Sequence, residues 1–405
     1  MKKLLSLFLA LAMSLGVCSM FTACGGETYS VGLLALHDEN STYDKNFIDA
    51  FKAACNKLGV TDYTIITGVP EEEDCYNQAV KLASKGCKAI FADSFSHEAY
   101  MLRAAKEFTD VQFCHATGVM AHTENLSNFH NAFASIYEGR YLAGVAAGLK
   151  LKEMIDNSTL PATAKKEGEN YILGYVGAKP YAEVKSGYTA WYLGVKSVVS
   201  NVVMKVKFTG EWYDEAGEKS AAEALINLGA AIVSQHADSW GAPTACETAG
   251  VPNVSYNGST ASKCGNTFIV SSKINWQPYF ELMIKSAVLN DGTVIPEDYF
   301  GSIGTGSVEL TEFGTAAAVG TQEKINEVKA QLVNGTLKVF DCSKFTVDGA
   351  AVTSYMADVN YDEAYKGDTE AIKTDGTVTF FDESGEGKRS APYFDLDIDG
   401  IDIIA

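Results

Sequence analysis

Ser30-Val31-Gly32-Leu33-Leu34-Ala35-Leu36 is a short apolar run, and it is followed by Tyr43 to Leu58, where Phe47, Ala50, Phe51, Ala54 and Leu58 recur three and four residues apart. The run reads as a buried strand and the spacing as one apolar face of a helix. The same unit then repeats. Tyr63 to Thr67 reads as a strand, and Glu71 to Ser84 as a helix with acids in its first turn, where the dipole favours them. Ala89 to Ala92 reads as a strand, His97 to Phe108 as a helix and Val111 to Cys114 as a strand. Alternation of this kind argues for an α/β fold built on a parallel sheet covered on both faces.

A second series follows: strand Tyr171 to Val176, helix Glu183 to Val199, strand Val202 to Phe208, helix Glu215 to Leu228, strand Ala231 to Ser234, helix Thr244 to Ala249 and strand Val251 to Tyr256. Two series imply two Rossmann-like lobes, expected at residues 30–131 plus 272–302 and 132–271 plus 303–405. Between the series, the helix Tyr137 to Leu151 carries Gly139, Ala143, Gly144, Ala146, Ala147 and Gly148, a surface for close packing, here expected against a sheet. Asp156 to Asn170 reads as a polar loop. From Gly301 onward the chain is rich in Gly, Asp and Thr and reads as turns and short strands decorating a lobe.

The amino terminus reads as a targeting segment. Lys2 and Lys3, an apolar run of about 14 residues from Leu4 to Val17, and small residues before Cys24 make a secretory signal, too short to span a bilayer. A cysteine directly after that segment is what a bacterial lipoprotein signal looks like, with cleavage before Cys24 and acylation of its sulfur. Residues 1–23 are then the leader and 24–29 a tether, and the mature chain is expected on the extracytoplasmic face of the cell membrane.

Composition narrows the function. A hydrophobic content of 47% and a charged content of 20% over 405 residues describe packed globular domains. A formal charge of −19 disfavours nucleic acid and anionic membrane surfaces as partners. Beyond Cys18 and Cys24, the cysteines 55, 75, 87, 114, 246, 264 and 342 are odd in number and irregularly spaced, with no C-x-x-C pair. They read mostly as small buried hydrophobes rather than a disulfide framework or zinc site. His37, His115 and His236 fall at strand ends, but no G-x-S-x-G, H-E-x-x-H, P-loop or G-x-G-x-x-G is present. No catalytic residues, metal or cofactor are expected.

In doubly wound sheets ligands collect beyond the carboxyl ends of the strands. Here those ends are His37 and Asp38, Asp93 to Phe95, His115 to Gly118, Gly177 and Ala178, Gly210 to Trp212, His236 to Ser239, and Asn257 to Ser259. Asparagine, serine, aspartate and aromatic residues dominate, which suits a neutral, flat, hydrogen-bonding ligand.

Asp44-Lys45-Asn46-Phe47, Tyr137-Glu138-Gly139-Arg140-Tyr141-Leu142-Ala143-Gly144-Val145-Ala146-Ala147-Gly148, Gly174-Tyr175-Val176-Gly177, Gln235-His236-Ala237-Asp238-Ser239 and Asn275-Trp276 stand in an order that resembles the basic membrane protein family of substrate-binding lipoproteins. That family includes purine nucleoside receptors. The resemblance implies a type I periplasmic-binding fold, two lobes joined by three crossovers, and delivery of a ligand to ABC permease and ATPase subunits. It assigns the hold on a purine base to Tyr43, Asn46 and Phe47. The family's Gly-Gly-x-Asp-Asp, Asp-Gly and Gly-x-Asp-x-Asp stretches are replaced here by Asp38-Glu39-Asn40-Ser41-Thr42, Thr117-Gly118 and Tyr256-Asn257-Gly258-Ser259. In nucleoside receptors such aspartates grip the ribose; their replacement speaks against ribose recognition and opens the site to a free base or a different small polar ligand.

Each candidate ligand residue has a structural alternative. Phe47 either stacks on a ring or packs with Ala50 and Phe51; Tyr43 lies a turn nearer the mouth. Trp212 and Trp276 either clamp the ligand or pack a lobe surface and a hinge, while Trp191 lies within a helix and reads as core. Asp238 with Ser239, and Asp93 with Ser94, either face the ligand or cap the next helix. Glu183 is a cleft acceptor or a dipole-favoured surface acid, and Thr117 and Asn257 complete the set. The reading that follows is a monomeric solute-binding lipoprotein that shuts on a purine base or nucleoside; the alternative is a sensor lipoprotein of the same fold signalling to a membrane partner.

Overall fold

The computed structural model describes residues 29–359, 369–384 and 388–405. The expected leader and Cys24 lie outside the described residues.

β1 (Val31–Leu34), α1 (Thr42–Leu58), β2 (Tyr63–Ile66), α2 (Glu73–Ser84), β3 (Ala89–Ala92), α3 (Glu98–Glu107), β4 (Gln112–Ala116), α4 (Ala121–Glu124) and β5 (Phe129–Ala134) form the first lobe. The helix α1 starts where Ser41 accepts from the Asp44 amide and stops at Gly59, whose φ of 71° only glycine adopts readily. The chain then crosses into the second lobe. There it forms α5 (Ile136–Asp156), β6 (Lys166–Glu167), β7 (Asn170–Gly177), α6 (Ala182–Lys196), β8 (Val202–Phe208), α7 (Glu215–Leu228), β9 (Val233–His236), α8 (Gly241–Ala249), β10 (Asn253–Tyr256) and β11 (Phe268–Ile274). It returns for α9 (Gln277–Ala287) and β12 (Asp298–Gly301), and crosses a third time to β13 (Val308–Leu310) and α10 (Thr321–Val333). Short pairs β14 (Met356–Ala357) with β15 (Thr369–Glu370), and β16 (Ile372–Asp375) with β17 (Val378–Phe381), precede the last strand, β18 (Ile401–Ile404).

The first sheet runs β12-β5-β4-β3-β1-β2, all parallel. The second runs β13-β11-β10-β9-β7-β8-β18, parallel except for β13, with β6 as an antiparallel flap on β7. Each lobe is therefore a doubly wound sheet with its switch point beside its first strand, where a crevice opens. The sheet limits put residues 132–134 in the first lobe and 272–274 in the second, three residues from the expected divisions.

Two expectations change. The small face of α5 packs chiefly on α6 rather than on a sheet: a Cβ at Gly144 would meet the Trp191 carbonyl oxygen at 2.1 Å, and one at Gly194 the Tyr141 carbonyl oxygen at 2.3 Å. Only glycine lets two helices approach that closely. The stretch after Gly301 also contains a true helix, α10, whose buried Ile325, Val328 and Leu332 recur at helical spacing. All seven described cysteines are buried free thiols, and burial pushes Cys55 and Cys87 up to about 12.

Candidate ligand-binding cleft

The two crevices face each other and close on a narrow cavity of about 20 Å³. The first lobe contributes Leu36, Tyr43, Asp44, Ser94, Phe95 and Thr117; the second contributes Glu183, Trp212, His236 and Asp238. The lobes touch across it. The Thr42 amide donates to the Asp238 carbonyl at 3.0 Å, Phe95 lies 5.4 Å from Tyr181, and His37 lies 5.6 Å from Tyr213.

On the first-lobe side the chain after β1 is held by carboxylates. The amide of Leu36 donates to Asp93 Oδ1 at 3.1 Å, and that of His37 to Asp44 Oδ1 at 2.7 Å. Ser41 Oγ donates to Asp44 Oδ2 at 2.5 Å, and Tyr43 Oη to the Asp93 carbonyl at 2.7 Å. Burial works to raise the Asp44 carboxyl, but the hydrogen bonds from His37 and Ser41 prevail and hold it below its ordinary value. Asp93 goes the other way: burial, then the neighbouring Asp44 charge, push it well above the usual range. Its Oδ2 has no hydrogen-bond partner. Ser94 donates through Oγ to Glu71 at 2.5 Å. Thr117 holds a φ of 66°, rare for a β-branched residue and the kind of strain that clusters at binding sites. The next residue must be glycine, because a Cβ at Gly118 would lie 1.9 Å from Asn131 Nδ2.

The second-lobe side is aromatic and mixed in charge. Trp212 leans on Tyr181 at 5.8 Å, with the Lys179 ammonium 5.7 Å above its ring. His236 Nε2 lies 3.3 Å from Glu183 Oε1, and burial keeps that imidazole below its usual pKa despite the carboxylate. Behind it the fully buried Arg140 guanidinium sits 3.4 Å from the Tyr256 ring centre and donates to the Gln235 carbonyl at 2.8 Å. Asp238 is buried, and burial, then the charges of Asp44 and Glu218, push its carboxyl well above the ordinary range. A carboxyl kept neutral can donate as well as accept, which widens the hydrogen bonds a ligand finds here.

Of the expected ligand residues, Tyr43, Ser94, Thr117, Glu183, Trp212 and Asp238 line this cavity. The others do not. Phe47 is fully buried and stacks on Trp276 at 4.3 Å, so both belong to the core beneath the hinge. Asn46 donates to the Ile274 carbonyl at 2.7 Å, tying α1 to the second crossover. Asp93 stands just behind the wall, ordering Leu36. Ser239 accepts from the Gly241 amide at 3.0 Å and so serves the start of α8. Asn257, at a φ of 59°, lines a wide surface groove together with Asn46, Asn275 and Glu312. Leu36, Asp44, Phe95 and His236 also line the cavity: Phe95 and His236 stand in the strand-end stretches read from the sequence, whereas Leu36 and, in the first turn of α1, Asp44 are not singled out there as ligand residues.

Among the described residues, no group of His, Cys, Asp and Glu is arranged to hold a metal ion, and no helix is long and apolar enough to cross a membrane.

The chain is similar to known proteins over most of its length. It is 30% identical to a purine-binding protein of Brucella abortus over 277 residues, 68% of this chain and 72% of that protein. It is 28% identical to a putative ABC transporter glucose-binding protein of Haloferax volcanii over 285 residues, 70% of this chain and 66% of that one. An ABC transporter solute-binding protein of Conexibacter woesei superposes with a TM-score of 0.60 at 19% identity, covering 77% of this chain and 98% of that one. That likeness carries the fold, the type I periplasmic-binding architecture of two Rossmann-like lobes. The family described as "ABC transporter substrate-binding protein PnrA-like" matches residues 35–341, which takes in both crevices and all three crossovers. Two facing crevices on a three-strand hinge and a match of that extent lead to one assignment: the chain belongs to this family of ABC transporter substrate-binding proteins.

Proposed function

We propose that the protein captures a purine nucleobase or nucleoside between its lobes and presents it to the permease and ATPase subunits of an ABC transporter. The family is a non-enzymatic, extracytoplasmic binding component; the purine is the step added here. The observation that carries it is a small interlobe cavity that joins the rings of Tyr43, Phe95 and Trp212 to the carboxyls of Asp44, Asp238 and Glu183. Rings bury a flat heterocycle by stacking, and carboxyls accept from ring N–H and amino groups. The Asp44 carboxylate, held below its ordinary pKa and so charged, repels phosphate, and nucleotides are expected to be excluded. The purine-binding name of the Brucella relative supports this reading.

A sugar is the second reading. Carboxyls also suit hydroxyl donors, and the Haloferax relative is named for glucose. Calorimetry and thermal melts with adenine, guanine, hypoxanthine, their nucleosides and glucose separate the two. A ligand at one hundred times its Kd stabilises the native state by about 2.7 kcal/mol, which a melt resolves. A shift with glucose alone sinks the purine assignment, and no shift with any purine at millimolar concentration does the same.

The lipid anchor belongs to this proposal as well. Acylated Cys24 would hold the receptor beside its permease and raise the local concentration for delivery. Cys24→Ser is expected to leave the protein in the soluble fraction with its ligand affinity intact; a variant that stays with the membrane refutes the anchor.

A further inference from the structure

The family match ends at residue 341, yet the chain beyond it returns to the cleft. Residues 388–398 are fastened to the second lobe. Lys185 Nζ lies 3.0 Å from Asp395 and 3.1 Å from Asp397. The buried Glu383 accepts from Ser186 Oγ at 2.5 Å and from the amides of Tyr393 and Phe394 at 3.0 and 2.5 Å. Phe394 stacks on Phe340 at 4.3 Å. The same stretch also grips the first lobe. The Ser390 amide donates to Asp298 Oδ1 at 2.8 Å, Ser390 Oγ to the Gly118 carbonyl at 3.4 Å, and the Ala391 amide to that carbonyl at 3.3 Å. Gly118 directly follows Thr117 of the ligand cavity, and Asp298 opens β12 at the hinge.

Between these attachments lies a second, open pocket of about 240 Å³. Its walls include Phe95 from the first lobe, Tyr181 and Glu183 from the second, and Arg389, Pro392 and Asp395 from the carboxyl-terminal stretch. Phe95 and Glu183 also line the ligand cavity, so the two spaces share a wall, and the Phe95–Tyr181 ring pair stands at their boundary. Rings beside two carboxylates and the Arg389 guanidinium suit a neutral polyhydroxyl group: its C–H face packs on the rings and its hydroxyls donate to the acids.

We propose that residues 388–392 form a specificity-determining side wall of the cleft, which limits lobe opening on that side and closes a subsite for a sugar-like substituent projecting past Phe95. The inference rests on the reading of the cavity as the ligand site, and it selects the nucleoside over the free base. Opening the lobes must break or stretch the bonds of Ser390 and Ala391 to the first lobe, because Lys185 and Glu383 hold the rest of the stretch to the second.

The test uses the full mature chain, Asp298→Ala to remove the acceptor for the Ser390 amide, and Ser390→Pro to remove that donor and its hydroxyl. Melting curves verify that each variant folds. Small-angle scattering of the ligand-free proteins reads lobe opening, and calorimetry with adenosine against adenine, and inosine against hypoxanthine, reads the subsite. The expected result is a larger radius of gyration in both variants and, in the wild type, a preference of about tenfold or more for nucleoside that falls toward unity in the variants. Base affinity should change less than about threefold. An unchanged radius of gyration in folded variants overturns the side wall, and equal wild-type affinities for base and nucleoside overturn the subsite. If the wild type binds no purine, the purine reading fails by itself, and scattering still decides the wall.

Discussion

The two lobes share one plan and bring different chemistry to the cleft. Both are wound in the same order, β2-β1-β3-β4-β5 in the first and β8-β7-β9-β10-β11 in the second. Both fix a cavity-lining loop with a buried glutamate. In the first lobe, Glu98 at the start of α3 accepts from the amides of Val119 and Met120 at 2.7 and 2.8 Å, just past Thr117. In the second, Glu218 of α7 accepts from the Ser239 amide at 3.2 Å, just past Asp238. Burial raises each of these carboxyls to about 7. What differs is the surface presented: carboxylates with Tyr43 and Phe95 on one side, and Trp212 with the His236–Glu183 pair, backed by Arg140, on the other. The scaffold is duplicated while the ligand chemistry is divided, so each half of the site can be altered without disturbing the other half's support.

The largest expected effect separates one aromatic of each lobe. Phe47 of the first lobe is core, so Phe47→Ala is expected to cost about 3–5 kcal/mol of stability. Trp212 of the second lobe is half-buried at the cavity, so Trp212→Ala should leave stability nearly unchanged and weaken ligand binding by about tenfold. Denaturant titrations and calorimetry of both variants check the pair. Equal stability losses would mean that Trp212 is core as well.

The matched glutamates predict a pH signature. A carboxyl raised to about 7 in the native state and ordinary when unfolded keeps its proton only while folded. Its stabilisation is full below about pH 4.5 and is lost as pH rises through about 7. Neutral glutamine escapes that loss. Relative to wild type, Glu98→Gln and Glu218→Gln should each gain about 1–3 kcal/mol between pH 5 and pH 8, measured by urea unfolding at both values. A similar gain from both would support the shared device, whereas a constant difference from wild type at either position would remove that position from it. The buried His115, lowered to about 3, acts in the opposite sense and is common to wild type and variants, so it cancels from the difference.

The smallest effect belongs to the surface groove. Asn46→Ala and Asn257→Gly lie outside the cavity and are expected to change ligand affinity by less than about twofold. A tenfold loss from either, in calorimetry with the same ligand, would move the site toward the groove.

How much of this was legible in the sequence follows from what periodicity reports. The βα alternation and the strand-end rule reach Ser94, Thr117, Trp212 and Asp238, because a chain leaving a parallel strand has nowhere else to go but the crevice. They do not separate Phe47 from Tyr43, since a ring on the inner face of α1 has the same spacing whether it meets a ligand or Trp276. Ser239 and Asp238 are adjacent, and only the turn geometry shows which one serves α8. The carboxyl-terminal stretch was the least legible. Its Gly, Asp and Thr content masks the three-residue apolar stripe of α10, and nothing local in Ser390-Ala391-Pro392 foretells a partner as distant as Gly118.

In the proposed complex one ligand is held by both lobes at once in the cavity between Tyr43, Phe95, Trp212 and Asp238. A crystal structure of the protein purified without refolding and grown with inosine tests it most directly. The expected density is a ring between Trp212 and the first-lobe aromatics, within hydrogen-bonding distance of Asp238 or Glu183, and a sugar directed past Phe95. Ligand density in the groove beside Asn46 and Asn257, with the interlobe cavity unfilled, would contradict it.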